Sequence, residues 1–238
     1  MERLQNKHVL LIGATGGIGR ATAKLLHSSK AHLHLTGRDQ GALDSLADEL
    51  GLPDGRTHQL DITDAQAVQR VADRIHGDIA QVDILINCAG IGIIKPVESL
   101  TADDFSRTID VNLKGTFYLL KSFLPPMKDS KKGLIIHLPG VLGKTPMAGA
   151  GAYAASKYGL NGLLKSVREE LKRTDIRITN LYLGGTDTPF WDDIDLKVRR
   201  DKFVTAEEAA KSIWFLCQQP ESGVVSEMVL QPFNHQAI

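Results

Sequence analysis

The sequence predicts an α/β protein built on a doubly wound, mostly parallel sheet of seven strands with helices on both faces. Three observations carry that expectation. Across 238 residues, seven apolar runs of strand length alternate with six longer stretches at helical period. The first run passes directly into a glycine-rich turn and then a helix. No repeat, low-complexity tract or Pro/Gly/Ser linker interrupts the alternation, so a single domain spanning 1–238 is expected. Strand, helix, strand in this order closes by right-handed crossovers onto a parallel sheet.

Each element has a local reason. The first strand, 8–12, leads into a helix over 17–28. In the second strand, 32–36, His32 and His34 alternate with Leu33 and Leu35 and share one sheet face; with no third ligand in the sequence, they read as ordinary strand residues and not as a metal site. A helix over 40–50, a strand at 57–60, a helix over 64–76 and a strand at 82–87 follow. The long helix over 103–128 opens on Thr101 and Asp104, with Pro125 and Pro126 near its end and a turn over 129–133. A strand at 134–138, a helix over 153–172 and a strand at 177–182 come next. Thr205 and Glu208 form a capping box for a helix over 206–218, and the last strand is 228–231.

Charge and composition exclude several classes of function. Lysine plus arginine and aspartate plus glutamate both count 28, so no net positive field exists to hold nucleic acid or an anionic membrane. A hydrophobic fraction of 42% and a charged fraction of 24% describe an ordinary folded globule. The most apolar stretch, 84–94, falls well short of the roughly 20 residues that cross a bilayer. The N-terminal residues lack a secretory apolar region, and Cys88 and Cys217 form neither a disulfide framework nor a four-ligand metal set, so a cytoplasmic location is expected.

The turn after the first strand is Gly13-Ala-Thr-Gly-Gly-Ile-Gly19. A strand, a glycine turn and a helix N-terminus aim backbone N–H groups and the positive helix end at a pyrophosphate site. The spacing of Gly13, Gly17 and Gly19 resembles that of the short-chain dehydrogenase/reductase family, and further motifs fall in that family's order: Asp61-Ile62, Asn87-Cys88-Ala89-Gly90, Asn112, Tyr153-Ala-Ala-Ser-Lys157, and Gly184-Gly-Thr186-Asp-Thr188. The resemblance implies a Rossmann-type domain and an oxidoreductase that moves hydride between a nicotinamide and a small to medium carbonyl or secondary alcohol. It implies dinucleotide contacts from Gly13, Thr15, Gly16, Gly17, Ile18, Asp61, Ile62, Asn87, Ala89, Gly90, Gly184, Thr186 and Thr188, together with Tyr153 and Lys157.

The second strand ends in Gly37-Arg38 and not in an acidic residue that would bind both ribose hydroxyls, so Arg38 favours NADP(H), with NAD(H) as the alternative. Tyr153 and Lys157 lie four apart on one helix face, which lets the ammonium stabilise a phenolate. The resemblance makes Tyr153 the proton donor or acceptor, Lys157 its activator and ribose ligand, and Asn112 the anchor of a water relay.

One member is missing. The family places a serine 13 residues before the tyrosine, and here that position is Gly140, with Thr145 the nearest hydroxyl. Loss of one such donor costs about 10²- to 10³-fold in rate. The alternatives are therefore a slowed enzyme or a dinucleotide-binding sensor or assembly subunit without turnover. An isomerase or epimerase of the extended relatives fits less well, because no longer substrate domain follows.

In the family that the chain resembles, the stretch corresponding to about 189–204 lies over the substrate; here it is a short lid, and Phe190, Trp191, Met147, Leu142 and the 91–94 loop predict an apolar pocket. Apolar residues on both sides of the long helix, and Gly159 and Gly162 on the next, point to a homodimer or homotetramer. Gly143-Lys144-Thr145 lacks the leading glycine of a phosphate loop, and no G-x-S-x-G occurs.

Overall fold

A computed structural model describes residues 4–234, so the first three positions of the N-terminal segment weighed for export lie outside the described residues. The strands are β1 (His8–Ile12), β2 (His32–Gly37), β3 (Thr57–Gln59), β4 (Ile84–Asn87), β5 (Lys132–His137), β6 (Asp175–Leu183), the short β7 (Thr186–Asp187) and β8 (Val204–Thr205), and β9 (Glu227–Leu230). Seven form one sheet in the order β3-β2-β1-β4-β5-β6-β9, with every neighbouring pair parallel. The chain reverses direction between β1 and β4, the switch point where open α/β sheets form a crevice.

Strand alternation sorts the core into two layers. Val9 and Leu11 face α1 (Gly17–Ser28), α2 (Gln40–Leu50) and α7 (Ala206–Leu216), whereas Leu10 and Ile12 face α3 (Ala65–Asp78), α5 (Gly115–Ser130) and α6 (Gly151–Glu170). All these strand residues are buried on a sheet covered from both sides.

The long helix departs from the uninterrupted span expected over 103–128. It is divided into α4 (Ala102–Ile109), a wide π-type turn over Asp110–Lys114, and α5. Thr101 and Asp104 close a reciprocal capping box at its start. Pro125 and Pro126 do not stop the helix, which runs to Ser130 and ends where Lys131 turns left-handed at φ 56°. Buried Leu124 and Met127 hold the last turns against the core despite the missing amide donors.

Candidate active site

The dinucleotide cradle is built at the C-terminal ends of β1, β2 and β4. Gly13 has φ +75°, and a Cβ there would come within 2.9 Å of the Ala89 amide nitrogen, so only glycine lets the β1 turn approach the β4 turn. Gly16 precedes α1 without a side-chain cap, which leaves the first-turn N–H groups for another acceptor. Asn87 braces the opposite turn: its Oδ1 accepts from the Ala89 amide at 3.0 Å and its Nδ2 donates to Thr116 Oγ1 at 3.3 Å.

At the outer end of the cradle, Arg38 is exposed, and no ion pair to it is seen among the described residues. Its neighbour Asp39 caps α2 by accepting from the Ala42 amide at 3.0 Å, so the two do not neutralise each other. Thr15 packs beside Gly37, where a Cβ would meet its Oγ1 at 3.0 Å. The exposed Asp61 carboxylate accepts from the Thr63 amide and hydroxyl at 2.9 and 2.7 Å. Ile62 is buried against Gly115. These residues fit a dinucleotide: open anion-facing amides lie at one end and an exposed guanidinium at the other.

A cavity of about 690 Å³ lies between the cradle and the loop after β6. Gly16, Gly17, Ile18, Ala89 and Gly90 line one side, and Gly184, Thr186 and Thr188 line another, with Tyr153 and Lys157 on the floor. Gly13, Thr15, Arg38, Asp61, Ile62 and Asn87 stand outside this cavity, in the turns that frame it and along the outer groove. Thr188 lies directly over the glycine turn, where a Cβ on Gly17 would come 2.7 Å from its methyl carbon. The Thr186 and Thr188 hydroxyls donate within their own loop, to the Gly184 and Thr186 carbonyls at 3.1 and 3.4 Å.

Tyr153 and Lys157 share one face of α6, with Lys157 Nζ 5.3 Å from the centre of the Tyr153 ring. Nζ donates to the Leu138 carbonyl at 3.2 Å. Burial lowers Lys157 to about 8 and pushes the Tyr153 phenol up to about 12. Burial alone raises the phenol, because desolvation disfavours its charged form.

The wide turn in the long helix carries Asn112, which is buried behind Gly90 and stands outside the cavity lining. Its Oδ1 accepts from the Ile91 amide at 2.9 Å, while its Nδ2 donates to the Ile91 carbonyl at 2.9 Å and to Ser156 Oγ at 3.0 Å. Both amide donors are thus spent tying the β4 loop to α6. Ser156 in turn donates to the Tyr153 carbonyl at 2.7 Å.

Gly140 faces the phenol. A Cβ at this position would lie 3.5 Å from the Tyr153 hydroxyl, and the backbone has φ 69° and ψ 164°, a region open essentially to glycine alone. The absence of serine here is thus built into the path of the chain. Thr145 also lines the cavity.

The short chain dehydrogenase family pattern matches residues 7–199. The chain belongs to the short-chain dehydrogenase family. It is therefore an NAD(P)-dependent oxidoreductase. Among relatives, a sepiapterin reductase of Chlorobaculum tepidum is 30% identical, over 95% of this chain and 96% of its own. An alcohol dehydrogenase of the archaeon Thermococcus sibiricus, solved with 5-hydroxy-NADP, superposes with a TM-score of 0.88 at 26% identity over 98% of this chain and 99% of its own. A metagenomic short-chain oxidoreductase solved with NADP superposes at 0.83 with 29% identity, over 98% of this chain and 100% of its own.

Other site residues of this dehydrogenase escaped the sequence reading. Ser156 sits inside the Tyr153–Lys157 motif, and its hydroxyl one position before the lysine was the available signal. His137 is 3% exposed at the end of β5, in register with Asn87, and Thr116 bridges it to Asn87 and to the Asn112 carbonyl. Burial and the nearby Lys157 charge lower His137 to about 3. Nothing in its sequence surroundings distinguishes it from an ordinary strand residue.

Proposed function

We propose that this dehydrogenase uses NADPH to reduce a small to medium carbonyl compound to its alcohol. The observation that carries the reading is the Tyr153 phenol, with Lys157 Nζ 5.3 Å from its ring centre, in a cavity bordered by the glycine turn. A group whose proton is retained through neutral pH suits donation to a carbonyl oxygen, the reductive direction. NADP(H), when bound, supplies the hydride. Tyr153 Oη holds the proton that the product oxygen takes, and Lys157, at the adjacent turn of α6, stabilises the phenolate left behind and restores the proton from solvent. Asn112 and Ser156 hold α6 against the β4 loop and so fix the height of the phenol.

Arg38 is the residue proposed to select NADPH, through a charge-assisted contact with the 2′-phosphate. Arg38→Ala is expected to weaken NADPH binding by about 10- to 100-fold while leaving NADH unchanged, because hydrogen bonds to charged groups contribute about 1.5–3 kcal/mol. Fluorescence titration with both nucleotides tests this; equal losses for the two would remove the role.

The stretch 189–204 serves as the lid. Its two ends are pinned together by the β7–β8 pair, Thr186 opposite Val204 and Asp187 opposite Thr205. Arg200 bridges Asp187 and Asp192, both at 2.6 Å. The described part of the chain acts as one domain, since a single sheet draws strands from residue 8 to residue 230.

A homo-oligomer is proposed from the outer faces of the long helix and α6. Phe105, Phe117 and Tyr158 are exposed there. Gly159 has an internal reason, packing on Leu113, but Gly162 opens onto empty space and suits close approach by a second subunit. Two free cysteines are in keeping with a cytoplasmic, reducing location. Among the described residues no helix is long and apolar enough to cross a membrane.

A further inference from the structure

We propose that the substrate is an uncharged, electron-poor aromatic carbonyl, an inference that rests on the reductase reading above. Three features of the cavity lead there. The first is a continuous aromatic row leading away from the phenol: Tyr153 to Phe190 at 6.1 Å between ring centres, Phe190 to Trp191 at 5.5 Å edge-on, and Trp191 to Phe203 at 5.1 Å. Such a row offers faces and edges to a flat ring entering the cavity. Leu142 and Ile94, expected in an apolar wall, line the same cavity.

The second feature is charge. Among the described residues lining the cavity, Lys157 is the one charged side chain, and it sits on the floor with its ammonium on the Leu138 carbonyl. A carboxylate or phosphate carried on the distal part of a substrate would lie among Phe190, Trp191 and Val198 with no cation to meet it. Burying an unpaired anion in such a wall is strongly unfavourable.

The third feature is Gly140. The position that faces the Tyr153 hydroxyl carries no side chain, so the carbonyl oxygen meets the phenol without a second side-chain donor from that residue. A substrate whose carbonyl carbon is already electron-poor compensates from its own structure. The carbonyl carbon gains a hydride from the reduced dinucleotide and the oxygen gains the Tyr153 proton. The product is the alcohol, and the dinucleotide leaves oxidised.

The test uses the full chain, NADPH and four aldehydes. For 4-nitrobenzaldehyde, kcat/KM should exceed that for 4-methoxybenzaldehyde by about 100-fold, the size of effect that one oxyanion donor provides. A carboxylate is electronically close to hydrogen, so 4-carboxybenzaldehyde against benzaldehyde isolates charge; the acid should be worse by at least about tenfold. Met147→Arg, at the exposed rim, should recover most of that charge penalty. Binding gives a readout free of turnover: benzamide should quench Trp191 fluorescence in the protein without nucleotide, and benzoate should not.

Equal or better reduction of the carboxylate, or a flat response to the ring substituent, would overturn the substrate inference and leave the reductase standing. NADPH binding with no carbonyl reduced at all would overturn both.

Discussion

Two places in this dehydrogenase hold ionisable side chains out of water, and they differ in what adjoins them. At the site, Tyr153, Lys157 and His137 are shifted by burial toward their neutral forms beside an open cavity. At the β1–β2–β3 edge, buried His34 and His58 stack with half-buried His8 and exposed His32, ring centres 5.2 to 6.0 Å apart. Arg56 donates to His34 Nε2 at 2.5 Å, which leaves His34 Nδ1 as the donor toward His58 Nε2 at 3.3 Å. His34 and His58 are lowered to about 3 and about 4, mainly by burial and then by neighbouring cations. Among the described residues no group of three or more His, Cys, Asp or Glu is arranged to hold a metal ion. Burial thus shifts ionisable groups at one chemical site and at one structural seam, and the cavity separates the two.

The comparison breaks most visibly at the phenol. Tyr153→Phe should lower NADPH-dependent turnover by about 10²- to 10⁴-fold, the range for a positioned proton donor, with NADPH affinity changed less than about twofold. Stopped-flow absorbance and fluorescence titration read the two quantities separately. A variant that keeps half its turnover would show that the phenol is as structural as the histidine stack.

The difference between the two regions also explains what the sequence could convey. Strand and helix positions follow from apolar periodicity, which is local, and the glycine spacing, Asn87, Tyr153 and Lys157 lie in contiguous motifs. The histidine stack spans three strands, with His8, His34 and His58 brought together only by the parallel register. From the sequence His32 and His34 appear as an isolated pair. Asn112 was legible as a site residue, but its two bonds to Ile91 and one to Ser156 depend on the wide turn that interrupts the helix. Likewise Gly140 reads from the sequence as a lost hydroxyl, whereas its positive φ is a property of the folded loop.

Acid should strike the seam. His34 and His58 have folded values below the ordinary 6.5, so the unfolded chain binds more protons as pH falls below that value. Stability supplied by the neutral imidazoles is complete above about pH 6.5 and is lost progressively toward about pH 4 for His58 and about pH 3 for His34. His137 adds the same sign from the site end. Calorimetry should record a fall in Tm on the order of 10 °C between pH 7 and pH 5. His34→Asn should flatten that slope more than His8→Asn, because His34 is the more deeply buried. A Tm constant over this interval would mean that the stack accepts protons in the folded state.

The smallest expected effect is at Gly140. A non-glycine residue there has room, since the nearest atom to an added Cβ is the Tyr153 hydroxyl at 3.5 Å, but it must adopt φ 69° and ψ 164°. Strain of about 1–3 kcal/mol follows, or a loss of about 2–4 °C in Tm for each kcal/mol in a chain of this size. Gly140→Ala and Gly140→Ser should lose Tm equally, because the strain belongs to the backbone. They should part in activity: the serine hydroxyl would stand beside the phenol, where a carbonyl oxygen would accept from it, and the alanine methyl offers no donor. A serine variant faster than the alanine variant at equal Tm would assign the difference to that hydrogen bond. Equal rates would place the substrate oxygen elsewhere in the cavity, away from the face that Gly140 presents.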